Sequence, residues 1–445
     1  MKLPQVPPDN AALDAHALEL LTSRPDLARP ELEGRYLHWE EVRHRPAPDG
    51  LSHDTWWQLI KLARRQQSRR LPLSDVHGRP FSFAMTDSAQ RAVHEIDRDA
   101  SGRIDLPEDV ANQATRDRYV VSSLIEESIR SSQLEGASTT RAVAKEMIRT
   151  GREPQTVDER MILNNFSAME WVREHSREPL TPAAVFELHG IVTRNTLEVA
   201  DAAGRFRRSE EAVHVVDVDS GEVVHVPPPA DTLPGRMDLL CRFANGTTSD
   251  EPFIHPVARA ILVHFWIGYD HPFVDGNGRT ARALFYWSML NQGFWLTEFL
   301  SISRVIKQAS GQYARAYLYS ETDGNDATYF LFNQLKVLRT AIEDLEAYLK
   351  RKAQEVRDIE SRLRGRDDLN HRQLALLGYA LRHPDARFTI EGHQTSHRVV
   401  YQTARTDLLK LAAARFLKQS RVGHKMVFTP APGLERRLQH RPRRR

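Results

Sequence analysis

Apolar residues in the middle of the chain recur at helical spacing. From about Val120 to Asn195 they form three stripes in turn: Leu124, Ile125 and Ile129, then Met161, Ile162 and Phe166, then Val185, Leu188 and Val192. A further helix is predicted to start at Pro256, with Ala260, Val263 and Ile267 as its buried face up to about Tyr269. Pro272 and Asp275-Gly276-Asn277-Gly278 interrupt it, and a second helix is predicted from near Gly278 with Ala281, Leu284, Phe285, Met289 and Leu290 as its stripe. Leu335 to Arg366 reads as one long amphipathic helix through Leu338, Ile342, Leu345, Leu349, Val356, Ile359 and Leu363. Strand signals are scarce. The clear one is Val213 to Val226, where β-branched residues flank an Asp219-Ser220-Gly221 turn and Pro227-Pro228-Pro229 ends the hairpin. Residues 1–110 carry mixed helical patterns, with Trp39, Trp56 and Trp57 expected in a core. Near the C-terminus, Thr389 and Ser396 are predicted N-caps of two successive helices. The second, about His397 to Ala414, buries Ala404, Leu408 and Leu411 and turns His397, Arg398, Tyr401, Gln402 and Arg405 outward. Phe416-Leu417-Lys418, an Arg421-Val422-Gly423-His424 turn and Met426-Val427-Phe428 then form a hairpin.

The fold class expected is mainly α, with one exposed hairpin. The chain divides into a helical N-terminal region (1–110), a helical core (111–335), a linker helix (336–366), a C-terminal module (367–430) and a basic tail (431–445). The 445 residues are 40% hydrophobic and 27% charged, which excludes collagen-like and wholly disordered classes. The longest apolar stretch, Ala260 to Tyr269, is broken by His264 and is too short to span a bilayer. The N-terminus has no apolar signal region, and a single cysteine, Cys241, rules out an intramolecular disulfide, so a cytoplasmic protein is expected. Charge is uneven. Residues 369–445 carry 16 Lys/Arg against 4 Asp/Glu, a local +12 within a total of +3, which leaves −9 for residues 1–368. A basic C-terminal block suits an anionic partner such as nucleic acid.

The segment His255 to Leu290 carries the chemistry. Two glycines and an asparagine at a helix N-terminus let successive backbone N–H groups converge on one anion, and the helix dipole adds to the attraction. Arg279 and Arg282, three apart on the first turns, can complement a polyphosphate. Asp275 suits a Mg²⁺ ion shared with phosphate oxygens, and His271 at the loop edge suits a general base. The run His271-Pro272-Phe273-Val274-Asp275-Gly276-Asn277-Gly278-Arg279-Thr280-Ala281-Arg282 resembles, without a mismatch, the HPFxxGNGRxxR signature of the Fic-domain family. The resemblance implies a helical core, about 120–335, that transfers AMP from Mg-ATP to a target protein Ser, Thr or Tyr hydroxyl. It implies His271 as general base, Asp275 as Mg²⁺ ligand, Gly276, Asn277 and Gly278 as anion hole, and Arg279 and Arg282 on the distal phosphates. Gly204-Arg205-Phe206-Arg207 and the following hairpin, about 205–228, resemble the family's flap, which takes the target segment as an added strand. Tyr313 resembles the tyrosine of its adenine pocket.

Ser131-Ser132-Gln133-Leu134-Glu135-Gly136 ends a predicted helix at about 120–136, with Gly136 as the glycine just past its end. Glu135 is a carboxylate poorly placed against its own helix dipole. The segment resembles the family's inhibitory motif through Ser131, Glu135 and Gly136, which implies that Glu135 pairs with Arg282 and blocks productive ATP binding. Self-modification and a homodimer are compatible with the family, and both AMP addition and AMP removal stay open. The C-terminal module resembles a winged helix-turn-helix, whose partner would be DNA or a protein. A DNA-binding regulator with a nucleotide-sensing Fic core is therefore the rival to a self-inhibited protein adenylyltransferase. Asp97 to Glu108 has the spacing of a Ca²⁺-binding EF-hand loop, yet it stands alone and carries Pro107 before its last ligand position, and a glycine-containing connector between two helices explains the same residues. His255, His264 and His271 lack the companions of a zinc site, and the first two are expected to be packing histidines.

Overall fold

The computed structural model describes residues 3–8, 19–20, 22–48, 50–100, 113–217, 220–247, 253–363, 366, 368–382, 385–422 and 425–439. The chain forms two compact units, Met1–Leu345 and Glu346–Arg445.

At the centre of the first unit lie α8 (Pro256–Asp270) and α9 (Asn277–Asn291), packed as a hairpin. The earlier helices are α1 (His53–Gln67), α2 (Asp87–Ala100), α3 (Gln113–Leu134), α4 (Arg141–Thr150), α5 (Val157–Glu174), α6 (Pro182–Thr193) and α7 (Leu233–Ala244). After α9 come α10 (Ile302–Gln308), α11 (Ser310–Thr322) and α12 (Thr328–Leu363), the last of which begins in the first unit and continues past Leu345 into the second. Nearly every α8 side chain is buried, which is why its apolar pattern reads as a run rather than a stripe. Pro256 sits in its first turn, the His255 ring accepts from Val257 N–H, and His271 closes it in the left-handed region at φ 45°. Asp270 is almost fully buried. Its carboxylate accepts from Arg236 of α7 and from Trp266 Nε1 at 3.0 Å, while Arg236 also donates to the Ser74 carbonyl. Burial pushes the Asp270 carboxyl above its ordinary range even though Arg236 opposes this.

Two antiparallel hairpins flank the bundle. β1 (Ser68–Ser74) pairs with β2 (Pro80–Ala84), and β3 (Val215–Val216) pairs with β4 (Val223–His225). The first does not stand out in the sequence, because Pro72 and Pro80 interrupt it. Its inward residues Leu71, Leu73, Phe81 and Phe83 join the same core as α8, with the Phe81 ring 4.7 Å from that of Tyr269. The second, at the expected place, is shorter than the Val213 to Val226 pattern suggests. Asp97, the first residue of the EF-hand-like spacing, lies within α2 and pairs with His255 at 2.8 Å, while residues 101–108 of that loop lie outside the described residues.

The second unit contains α13 (His371–Arg382), β5 (Phe388–Thr389), α14 (Ile390–His397), α15 (Tyr401–Ala413), β6 (Leu417–Val422) and β7 (Lys425–Pro430), with sheet order β5-β7-β6. Leu377, Ala404, Leu408, Leu411 and Phe428 form its core. Asp407 is buried within it and accepts from Asn370, Arg372 and His393. Thr389 caps α14 as expected, by accepting from Gly392 N–H, but Ser396 does not start the next helix. The first helix runs through Ser396 and ends at Arg398, φ 50°, so the second begins at Tyr401. Among the described residues, no helix is long and apolar enough to cross a membrane.

Leu284 of α9 is completely buried in the core of the first unit. Leu284→Ala should therefore cost about 2–5 kcal/mol, seen in chemical denaturation as an earlier unfolding transition of the first unit. An unchanged midpoint would show that the α8–α9 pair is not the core.

Candidate active site

The loop joining α8 to α9 is held from below. Asn277 Oδ1 accepts from Phe273 N–H at 2.9 Å and its Nδ2 donates to the Phe273 carbonyl at 2.8 Å, so this side chain is spent on the loop itself. The His189 ring of α6 stacks on Phe273 at 3.8 Å. Gly204 N–H donates to His189 Nδ1, which leaves Nε2–H to donate to the Asp275 carbonyl at 2.9 Å. Burial holds His189 down at about 4, so it is neutral. Arg207 completes the frame: its N–H donates to the Pro272 carbonyl and its guanidinium to the carbonyls of His271 and Pro228. His189 did not stand out as a candidate in the sequence, and Arg207 stood out only as part of the Gly204-Arg205-Phe206-Arg207 run, not for this framing role.

Gly276, at φ 80°, starts α9, and Thr280 N–H returns to its carbonyl. The N–H groups of Asn277, Gly278 and Arg279 come before that first closed turn and therefore have no intrahelical partner. The Glu135 carboxylate stands over them. A Cβ placed on Gly278 would lie 2.3 Å from Glu135 Oε1, so only glycine admits the carboxylate here. Oε1 accepts from Arg282 at 2.8 Å, and Arg282 also donates to Ser131 Oγ at 2.9 Å and to the Ser131 carbonyl at 3.0 Å. Gly136, at φ 95°, ends α3 just beyond. Burial raises the Glu135 carboxyl, but Arg282 outweighs this and holds it below its ordinary value. The structure thus brings Ser131, Glu135, Gly278 and Arg282 together. Glu127, one helical turn before Ser131, is buried and accepts from Ser301 Oγ and from the Ser303 N–H and Oγ, which anchors α3 to the start of α10.

A cavity of about 230 Å³ opens over the loop and is lined by Glu135, His271, Gly278, Arg282, Tyr313 and Tyr317, with Val215, Val224 and His225 on the side of the β3–β4 hairpin. His271 Nδ1 faces the Gly268 carbonyl at 3.3 Å, which puts the hydrogen on Nδ1 and leaves Nε2 with the lone pair. Burial lowers its titration to about 4. Tyr313 lies at the cavity wall, its hydroxyl 2.9 Å from Nε2 of the buried His264.

Arg279 differs from expectation. Its side chain is fully buried, donating to the Val192 carbonyl at 3.2 Å and to Asp275 at 3.1 Å, and it does not line the cavity beside Arg282. The Val192 carbonyl and the Asp275 carboxylate draw it under the loop. Asp275 is about half exposed, and among the described residues no group of three or more His, Cys, Asp or Glu side chains is placed to hold a metal. One carboxylate fits an ion brought in by a nucleotide, not an ion held by protein ligands alone.

Residues 179–289 match the Fic/DOC family. This part of the chain is a Fic domain. The chain is 26% identical over 230 residues to a protein adenylyltransferase Fic of Nematostella vectensis, covering 48% of this chain and 51% of that one. It is 29% identical over 299 residues to a protein adenylyltransferase Fic of Drosophila grimshawi, covering 64% and 54%. The chain spans about half the length of these curated relatives. A solved Fic family protein of Desulfovibrio desulfuricans G20 shares the fold, with a TM-score of 0.53 at 19% identity over 82% of this chain and 98% of that one. Within the Fic domain, His271 and the loop lie at the α8–α9 turn, while Ser131 and Glu135 reach it from outside the matched span.

Because Glu135 titrates below its ordinary 4.5, its pairing stabilises the fold above that value and loses the contribution as pH falls through the lower folded one. Thermal unfolding of the wild type should lose stability in that acid range more steeply than Glu135→Gln. Parallel pH curves would show that the pair does not form.

Proposed function

We propose that the Fic domain transfers AMP from ATP to a protein hydroxyl and that Glu135 holds this activity back. The observation that carries the reading is a carboxylate seated at the N-terminus of α9, paired with Arg282, at the edge of a cavity that contains His271. A helix N-terminus with an adjacent guanidinium accepts anions, and here an internal anion occupies the place of a phosphate. The name protein adenylyltransferase carried by the curated relatives points the same way.

With Glu135 withdrawn, the N–H groups of Asn277 and Gly278 and the Arg282 guanidinium would hold the triphosphate. Asp275, released in part from Arg279, would hold Mg²⁺, which would neutralise phosphate charge. His271 Nε2 takes the proton of the attacking hydroxyl as its oxygen bonds to the α-phosphorus, and pyrophosphate leaves with the electrons of the broken P–O bond. Donors fixed before the reaction stabilise the charge that builds on phosphate oxygens. Tyr313 and Tyr317, their rings edge to face with centroids 5.4 Å apart, supply an aromatic wall suited to a nucleobase.

Incubation with α-labelled ATP and Mg²⁺ tests this. Glu135→Gly should label protein, itself or an added target, at least about tenfold more than wild type. Adding His271→Ala should keep ATP binding but lower labelling by about 10²–10⁴-fold. Equal labelling of wild type and Glu135→Gly would remove the brake from the account, and no labelling of either would remove the transferase.

A second reading concerns the C-terminal unit, which we propose is a winged helix on its helix–strand–helix–helix–strand–strand order. We propose that it binds duplex DNA. Arg398, Val400, Tyr401 and Gln402 are exposed at the start of α15, and Lys418, Arg421 and Lys425 are exposed on the β6–β7 hairpin, while Asp407 is turned inward. Such a face puts side chains toward base edges and cations toward phosphates. Fluorescence anisotropy with duplex DNA should show binding that weakens steeply with salt and is lost when Arg398 and Lys418 become Ala. Binding of DNA without any transfer of label would favour a regulator over an enzyme, and no binding at low salt would favour protein docking.

A further inference from the structure

His225 ends β4 and is 8% exposed. Its Nδ1 lies 2.8 Å from Glu321 Oε2 on α11, and its Nε2 lies 2.7 Å from the Tyr269 carbonyl at the end of α8. A carboxylate and a carbonyl are acceptors only, so satisfying both contacts requires a hydrogen on each ring nitrogen. We propose that His225 is bound as an imidazolium and is a positioning residue for His271. It clamps the flap to the wall of the active-site cavity, fixes the end of α8 two residues before His271, and opposes protonation of that base with its charge. This rests on the reading of His271 as the general base.

The surroundings agree. Glu321 faces the ring from α11, and Asp270 faces it from α8 with Arg236 of α7 as its own partner. The Tyr269 ring lies 4.9 Å away. On the loop side stand His271 and Arg207, the latter donating to the carbonyls of Asp270, His271 and Pro228. Burial alone would lower His225, but the Glu321 carboxylate outweighs it and raises the ring above its ordinary 6.5. The clamp is therefore complete below that value and is lost as pH rises through the higher folded one. His271, held at about 4, is neutral over the same window. One imidazole is thus charged while its neighbour stays a base.

The full chain labelled with ¹⁵N-histidine tests this by NMR, with the His225 resonances identified by their loss in His225→Gln. His225 should titrate above 6.5 with both nitrogens protonated below that point, and Glu321→Gln should bring it below 6.5. A His225 that is neutral at its ordinary value, or one unmoved by Glu321→Gln, overturns the proposal. In folded His225→Gln the His271 titration should rise from about 4, which a purely structural contact would not cause. An unmoved His271 sinks the coupling. Protection of the flap amides 220–226 from exchange, corrected for intrinsic rate, should fall about tenfold as wild-type His225 loses its proton, and constant protection speaks against the clamp. None of these readouts needs AMP transfer, so failure here is distinct from failure of the proposed reaction. If Glu135→Gly transfers AMP, adding His225→Gln should slow it and abolish its decline at high pH, and a decline that persists assigns that limb to another group.

Discussion

A buried guanidinium needs an anion. Arg282 is 2% exposed, and the cost of leaving such a cation unpaired is about 3–5 kcal/mol. Ser131 satisfies part of its hydrogen bonding with a hydroxyl and a carbonyl, but neither carries charge. Glu135 supplies the charge, and it reaches Arg282 only because Gly278 has no side chain and Gly136 lets α3 end where it does. The site is therefore a place of exchange: whatever removes Glu135 must bring an anion of its own. A nucleotide phosphate meets that demand, and this links the proposed brake to the ligand it would exclude.

The anchoring of α3 bears on how readily that exchange occurs. Glu127, buried against Ser301 and Ser303, and Ser132, donating to the Met161 carbonyl at 3.1 Å, hold the helix on two sides. Glu135 lies past the last turn of the helix and is about a quarter exposed. Its side chain can swing without unfolding the helix that carries it. Rotation of one glutamate costs far less than displacement of a packed helix, so on the proposed reading α3 positions the carboxylate and its side chain alone does the blocking.

How much of this could be read from the sequence depends on the range of the contacts. The α8–α9 turn was legible because proline, a glycine-rich break and periodic apolar residues are local signals. So was the end of α3, where Gly136 marks the reversal. The β1–β2 hairpin was not, because its prolines hide an alternation that becomes clear only once Leu71, Leu73, Phe81 and Phe83 meet α8. Ser396 misled because a capping residue can also sit inside a helix, and the stop came instead from Arg398 in the left-handed region. Arg279 and Arg282 look equivalent by spacing, yet Val192 and Asp275 draw one of them under the loop. No local pattern marks His189, and the flap-like pattern that includes Arg207 and His225 does not reveal their partners, which lie far away in sequence.

The three histidines around the loop show how partners, more than burial, divide the work. All three are desolvated, which by itself favours the neutral ring. His189 receives a hydrogen bond from Gly204 N–H, so one nitrogen must stay bare and the ring is a neutral strut. His271 has a carbonyl at Nδ1 and open cavity beyond Nε2, so it keeps a lone pair where a proton could be received. His225 has an acceptor at each nitrogen, one of them charged, and that pair of partners is enough to reverse the effect of burial. The same side chain is thus a strut at His189 and, on the proposed reading, a base at His271 and a cation at His225, and what assigns each role is whether the group opposite each nitrogen gives a hydrogen, takes one, or is absent.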